Sequence, residues 1–214
     1  MLLSYSFNSL QSIPTSTRKG FPNLALLEGN IYEPHQYVPA LFMEYGRVKL
    51  RFSQWGLIPA WQRKATLPQG KDFIEAEEIF YSYSMMSILH RKRCLIPADA
   101  FFVQDLNPMT SQKYQVSLFG QQMFCFAGVY DLWKTAKGKT VHTISILTVA
   151  SNRLLTKHGS RMPLILPREA EKQWLQDRTS MNKLTKLLKP YHPNLMQISP
   201  ITPTIKQTPR IVAA

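Results

Sequence analysis

The sequence predicts an α+β fold with a β-rich core and helices at its edges. Short strand-like segments dominate the middle of the 214-residue chain, and hydrophobic residues form 44% of its composition. This fraction suffices for a continuous core, and the length suits one large domain better than two small ones. We therefore expect one domain over residues 1–214, in which 200–214 form an extended or flexible tail interrupted by Pro203 and Pro209.

The first clear element is a β-hairpin over residues 36–55, with a turn at Gly46-Arg47 and alternating apolar and polar residues in its second arm. A short helix follows over residues 85–93, with Ile88 and Leu89 facing inward. Basic residues in its last turn suit the negative end of the helix dipole.

Strand patterns occupy the rest of the middle of the chain. We expect strands near 94–97, 100–104, 114–119, 123–130, 140–149 and 162–166. Pro167 then begins a helix, because proline suits the first turn. Ser180 is a candidate cap for a final helix, which turns Leu184, Leu187 and Leu188 inward.

The charge balance favours a polyanionic partner. The chain has 26 Lys and Arg residues against 13 Asp and Glu residues, a net charge of +13. Such an excess attracts nucleic acid over a long range but says nothing about the fold. No apolar stretch is long enough to span a bilayer, and the N-terminus does not resemble a signal peptide. We therefore expect a cytoplasmic protein without membrane contact.

The two cysteines, Cys94 and Cys125, each lie in apolar sequence, as is typical of reduced thiols in a protein core. No group of His and Cys residues has the spacing of zinc ligands. We expect a monomer that holds neither a metal nor another cofactor.

Four motifs carry the most information about family. They are Trp-Gly-Leu-Ile-Pro-Ala-Trp at 55–61, Arg-Cys-Leu-Ile-Pro-Ala-Asp-Ala-Phe-Phe at 93–102, Phe-Ala-Gly-Val-Tyr-Asp-Leu-Trp at 126–133 and Lys-His-Gly-Ser-Arg-Met-Pro at 157–163. In this order they resemble the SRAP (SOS-response-associated peptidase) family, and the resemblance extends to about Pro167. It implies a mixed, mainly antiparallel and partly barrel-like β core with flanking helices. It also implies covalent crosslinking to abasic sites in single-stranded DNA during the DNA-damage response.

The family's nucleophile is missing at the start of the chain. SRAP proteins expose a cysteine after removal of the initiator Met, and its thiol and α-amine close on the abasic aldehyde as a thiazolidine. Residues 5–7 match the family's start, but Leu2 stands at the cysteine position. Leucine has no nucleophilic group, and a bulky second residue blocks Met removal. Cys94 and Cys125 cannot substitute, because neither has an adjacent free amine.

The family's Asn-Ala-Arg-x-Glu motif corresponds to residues 73–77, a register set by the distance to Arg93. Phe73 thus stands where the resemblance implies an asparagine that orients the nucleophile. Glu75 stands where it implies an arginine that binds backbone phosphate, so attraction becomes repulsion.

The family's Gly-Phe-Tyr-Glu-Trp motif corresponds to residues 100–104. Val103 replaces the glutamate, the candidate general acid or base, and valine cannot transfer a proton. Gln104 replaces a tryptophan on which a base can stack. His158 and Arg161 are retained, so we interpret His158 as the surviving catalytic-site residue.

Several residues are candidates for DNA contact. Arg161, Arg91 and Arg93 are candidates for phosphate binding, and Trp55 and Trp61 for base stacking. The alternative interpretation of both tryptophans is a role in the core and at its rim.

The resemblance also predicts where two groups of residues lie in the fold. We expect four aromatic side chains to be largely buried: Trp55, Phe101, Phe126 and Tyr130. We expect four positions of the family's site to converge on one surface concavity: Leu2, Phe73, Val103 and His158.

Three functional hypotheses follow. The leading one is an SRAP-fold protein that binds single-stranded DNA, including DNA with abasic sites, without crosslinking or autoprocessing. The second is an active enzyme whose Met1 amine forms a Schiff base with the abasic aldehyde. The third is an interaction scaffold whose acidic segment at 72–78 contacts a basic protein.

Overall fold

Strands make up most of the chain that the structure describes. The computed structural model describes residues 2–7, 30–62, 70–107, 112–121 and 123–201, with the backbone alone for residues 2 and 3. The strands are β1 (Leu2–Phe7), β2 (Asn30–Tyr32), β3 (Tyr37–Glu44), β4 (Arg47–Trp55), β5 (Phe73–Glu75), β6 (Arg93–Ala98), β7 (Ala100–Gln104), β8 (Lys113–Leu118), β9 (Phe124–Lys134), β10 (Thr140–Ala150), β11 (Arg161–Pro163), β12 (Ile165–Leu166) and β13 (Met196–Pro200). The helices are α1 (Tyr83–Arg91), α2 (Arg168–Leu175) and α3 (Met181–Leu187). None of these three helices is long and apolar enough to cross a membrane.

Five strands pair in a ring, in the order β10, β4, β3, β6 and β9, with β9 returning to β10. Strands β5 and β11 also pair with β10, and β12 pairs with β9. A second sheet has the order β13-β8-β7-β1-β2. Among the described strands, the pairs β10–β4 and β10–β5 are parallel and the others are antiparallel. The predicted α+β fold, with a mainly antiparallel and partly barrel-like core, is confirmed.

Aromatic rings join the two sheets. The ring of Tyr5 in β1 lies 5.5 Å from that of Trp55 in β4 and 5.6 Å from that of Phe126 in β9, measured between centroids. Phe101 in β7 lies 5.9 Å from Phe126 in the same way. All four side chains are fully buried. The predicted burial of Trp55, Phe101 and Phe126 is therefore confirmed.

Tyr130 packs against the core but is less buried than these three side chains. Its ring contacts buried Phe42 at a centroid distance of 4.8 Å, but it also stacks on the half-buried ring of His142. Because one of these two neighbours is itself near the surface, part of Tyr130 stays accessible to water.

The hairpin over residues 36–55 is confirmed, but its turn is one residue earlier than predicted. Glu44 pairs with Arg47, which leaves Tyr45 and Gly46 as the two turn residues. Both have positive φ angles, +50° and +73°. This conformation suits a two-residue hairpin turn, since its twist matches that of the strands.

The predicted helices are present with shifted ends. Helix α1 begins at Tyr83, earlier than the predicted 85–93, because the Ser82 hydroxyl accepts a hydrogen bond from the backbone N–H of Met85. Helix α2 follows Pro167, as predicted. Ser180 precedes α3, but its side chain makes no capping hydrogen bond, so this part of the prediction is wrong.

The C-terminal strand β13 pairs with β8, and the sequence patterns did not predict it. The predicted tail at 200–214 begins at the last residue of this strand. Residues 202–214 lie outside the residues that the structure describes.

Gly128 tests the packing of the ring. A Cβ atom here would overlap Ile96 Cδ1 and would lie 3.0 Å from both Cys94 Sγ and the carbonyl oxygen of Ser145. We expect Gly128→Ala to lower the free energy of unfolding by about 1–3 kcal/mol, measured by urea denaturation. Ile96→Val removes the overlapping methyl group, so the double variant should lose less stability than the sum of the single variants. Additive losses would contradict the proposed overlap.

Candidate functional site

Strand pairing and the segment after β10 bring together distant positions of the predicted site. Leu2 lies opposite Val103 in the β1–β7 register. Val103 in turn shares a narrow depression with His158. The depression is lined by Phe101, Val103, Leu155, His158, Arg161, Met162 and Pro163. It is too narrow to admit a water molecule. An apolar side chain thus faces His158 where the family resemblance implies a carboxylate.

His158 is held by its own turn and by an aromatic neighbour. It ends a short 3-10 turn, Thr156–His158, and its backbone N–H donates to the Leu155 carbonyl oxygen. Its ring lies 4.6 Å from the Tyr114 ring between centroids. Burial lowers the pKa of His158 and Lys157 lowers it further, while Asp105 opposes the shift. The ring is therefore neutral near pH 7 and suited to accept a proton.

Phe73 lies in an adjoining cleft of about 380 Å³, the acidic cleft, whose lining includes three carboxylates. The cleft is lined by Asp72, Phe73, Glu75, Glu78, Thr148, Arg161, Met162 and Pro163. It shares the last three of these residues with the depression at His158. Phe73 itself packs edge-to-face on buried Trp55, with ring centroids 5.5 Å apart. The structure thus brings Val103 and His158 together. Phe73 lies on the other side of a shared wall formed by residues 161–163.

Arg161 is engaged by acidic residues of the cleft. Its Nη2 donates to Glu77 Oε2 at 2.5 Å and to the Thr148 carbonyl oxygen at 2.6 Å, and its Nη1 lies 3.7 Å from Glu75 Oε2. The hydrogen bond from Arg161 lowers the pKa of Glu77, so Glu77 is ionised at neutral pH. Arg161 is therefore paired with both Glu75 and Glu77.

Arg93 cannot contact DNA, so its prediction as a phosphate ligand is wrong. It is 4% exposed, and its guanidinium donates to the carbonyl oxygens of Leu89, His90, Trp174 and Gln176. These carbonyls lie at the C-terminal ends of α1 and α2, where backbone acceptors lack helical partners. Arg93 thus ties the two helix ends together inside the protein.

The other predicted contact residues differ in accessibility. Trp55 is 0% exposed and its Nε1 donates to the Asp72 carbonyl oxygen at 2.9 Å, so it cannot serve as a stacking surface. Its alternative interpretation as a core residue is confirmed. Trp61 and Arg91 are exposed, and Gln104 is half-buried at the end of β7. Their roles in DNA binding remain predictions.

Two contacts within the site are not indicated by the sequence. Tyr114 packs on His158, and Glu77 binds Arg161. Tyr114 belongs to a strand pattern with no motif, and Glu77 lies 84 residues from Arg161. No local pattern indicates either contact, because both depend on which strands become neighbours.

Comparison with known proteins shows the family and the fold. Residues 26–208 match the family described as SOS response associated peptidase (SRAP). The chain is 33% identical over 166 residues to abasic site processing protein YoqW of Bacillus subtilis (strain 168), covering 77% of this chain and 74% of that protein. The chain belongs to the SRAP family. The matched residues include Phe73 and Val103, and they begin after Leu2.

More distant relatives extend the comparison. Abasic site processing protein HMCES of Rattus norvegicus is 26% identical over 188 residues, which cover 72% of this chain but 52% of that protein. The chain thus matches about half the length of HMCES. A crystal structure of a protein from Bacteroides thetaiotaomicron has a TM-score of 0.74 and 25% identity, covering 81% of this chain and 78% of that one. A phage-related protein from Bordetella bronchiseptica has the same fold, with a TM-score of 0.66, 18% identity and coverage of 94% of this chain and 93% of that one.

The buried environment of His158 predicts a dependence of stability on pH. Its folded-state pKa lies below the ordinary 6.5, so the unfolded chain binds this proton at a higher pH than the folded chain does. Stability present above pH 6.5 is therefore lost as the pH falls toward the folded-state value. His158→Gln should make the urea midpoint less sensitive to acid over this interval. An NMR titration that places the His158 pKa above 6.5 would contradict the assignment.

Proposed function

We propose that this protein binds single-stranded DNA, including DNA with abasic sites, and forms no stable covalent bond to it. Two facts support a nucleic-acid partner: relatives are named abasic site processing proteins, and the chain has a net charge of +13. The observation that carries the loss of crosslinking is the depression at His158, which Val103 lines at the position for which the family resemblance implies a carboxylate.

The chemistry requires groups that the site does not offer. A thiazolidine needs a thiol and an amine on adjacent carbons, and Leu2, opposite Val103, carries no thiol. His158 can accept a proton, but neither Phe101 nor Val103 beside it can donate or relay one. The Met1 amine, if it attacked the abasic aldehyde instead, would also lack these positioning groups. Much of the rate of such reactions comes from positioning, so that route should be slow.

The charges at the cleft support weak and non-specific binding. Asp72, Glu75 and Glu78 line the cleft, and Arg161 is paired with Glu75 and Glu77. A DNA phosphate here meets carboxylates and competes with them for the arginine. The attraction therefore depends on cations elsewhere, whose long-range effect is screened by salt within about 8–10 Å.

The first test is incubation of the protein with an oligonucleotide that contains one abasic site, followed by a denaturing gel. We expect no heat-stable shifted band, for Leu2→Cys as well as for the wild type, because the supporting groups are absent. Leu2→Cys combined with Phe73→Asn and Val103→Glu should crosslink more than Leu2→Cys alone. A heat-stable wild-type band without reductant would refute the proposal. A band that needs borohydride would favour the Met1 amine.

The second test reverses one charge in the cleft. Glu75→Arg removes a carboxylate beside Arg161 and adds a phosphate ligand, so it should tighten binding of single-stranded DNA by about three- to tenfold. The slope of log affinity against log salt should steepen by about 0.7 for the added contact. Glu33→Arg, an equal charge change at an exposed residue outside both clefts, is the matched control. Equal effects of the two variants would mean that DNA does not pass the cleft.

A protein-interaction scaffold is the second candidate function. Tyr81 and Tyr83, a few residues after Glu78 of the acidic cleft, are 89% and 85% exposed. Carboxylates beside accessible rings suit a basic peptide, because the rings add cation–π contacts. Failure to bind single-stranded DNA even at low salt would favour this candidate.

A further inference from the structure

A second cleft lies between α2, α3 and the segment that precedes β13. Its volume is about 460 Å³, within the range of about 300–1,000 Å³ typical of ligand sites. It is lined by Gln121, Ile165, Pro167, Arg168, Glu169, Lys186, Leu187, Lys189, Pro190, Tyr191, His192 and Leu195. None of these residues lines the depression at His158 or the acidic cleft.

The charge of this second cleft is opposite to that of the acidic cleft. Arg168, Lys186 and Lys189 contribute three cations, and Glu169 contributes one carboxylate. Within the described residues, no carboxylate lies within salt-bridge distance of these three cations. Arg161, in contrast, is bound by glutamates. Lys186 and Lys189 are therefore available to an anionic ligand, while Arg168 also acts electrostatically on Glu171, opposing the rise in its pKa that burial causes.

The floor of the second cleft is apolar. Of its apolar lining residues, Ile165 and Tyr191 are buried and Leu187 is half-buried, whereas Pro190 and Leu195 are exposed. The Tyr191 hydroxyl accepts a hydrogen bond from Gln121 Nε2 at 3.3 Å. An apolar floor beneath a cationic rim suits a ligand that has an apolar face and an anionic group on the same unit.

We propose that single-stranded DNA binds in the second cleft, with a base against the apolar floor and phosphates at Arg168, Lys186 and Lys189. This inference rests on the proposed function, because it gives the path of the same DNA. A nucleotide combines a stacking face with a phosphate, the two features that the cleft offers. An acidic peptide would satisfy the rim but leave the apolar floor largely unused.

The test compares two double charge reversals with the same change in net charge. Lys186→Glu with Lys189→Glu changes the rim of the cleft. Lys172→Glu with Lys183→Glu changes residues of α2 and α3 that do not line it. The probe is a labelled oligothymidylate titrated at low and moderate salt, after urea unfolding has shown that both variants are folded.

We expect the rim variant to bind at least about tenfold more weakly and to lower the salt slope by about 1.4, which corresponds to two lost phosphate contacts. The control variant should lose only about two- to threefold through long-range charge. If the wild type binds the oligonucleotide and both variants weaken it equally, this path is wrong while the proposed function stands. If the wild type does not bind at all, both fail. If polyglutamate displaces the oligonucleotide as well as unlabelled DNA does, the cleft recognises anions in general and the inference is overturned.

Discussion

The contact between the two sheets is the constraint on which the site depends. Val103 belongs to the sheet that contains β1 and β7, whereas His158 and Arg161 follow β10 of the strand ring. The two parts meet because Tyr5 and Phe101 of one sheet pack on Phe126 of the other. Each such aromatic pair contributes about 0.5–1.5 kcal/mol beyond the burial of its area. This packing is made by core residues that lie outside the acidic lining of the cleft.

Arg161 shows how neighbouring carboxylates determine what an arginine can bind. Its side chain is 18% exposed and binds two glutamates as well as the Thr148 carbonyl oxygen. Exposed ion pairs contribute only about 0–1 kcal/mol, and the Glu77 side chain is 56% exposed. The pair therefore adds little stability. Its main consequence is electrostatic, because the guanidinium charge is already compensated before any phosphate arrives.

Net charge and charge distribution lead to different conclusions about binding. The excess of 26 cationic over 13 acidic residues predicts attraction to nucleic acid but gives no location. In the structure, three carboxylates line the cleft beside the family's site, and Arg93 is buried inside the protein. Cations line the cleft between α2 and α3 instead, with no salt bridge to any described carboxylate. Net charge alone therefore does not say which surface of the chain is cationic.

The sequence by itself determined the hairpin, the central strands and the three helices, because these patterns reflect local preferences of neighbouring residues, but it did not predict β1, β5 or β13. It also determined the family, through four motifs and their order. Only the tertiary structure decided that Arg93 binds helix-end carbonyls, that Trp55 is inaccessible and that Phe73 and Val103 lie on two sides of a shared wall. These outcomes depend on contacts between residues tens of positions apart, such as Arg161 and Glu77. A local pattern shows what a side chain prefers, but strand order decides which partners reach it.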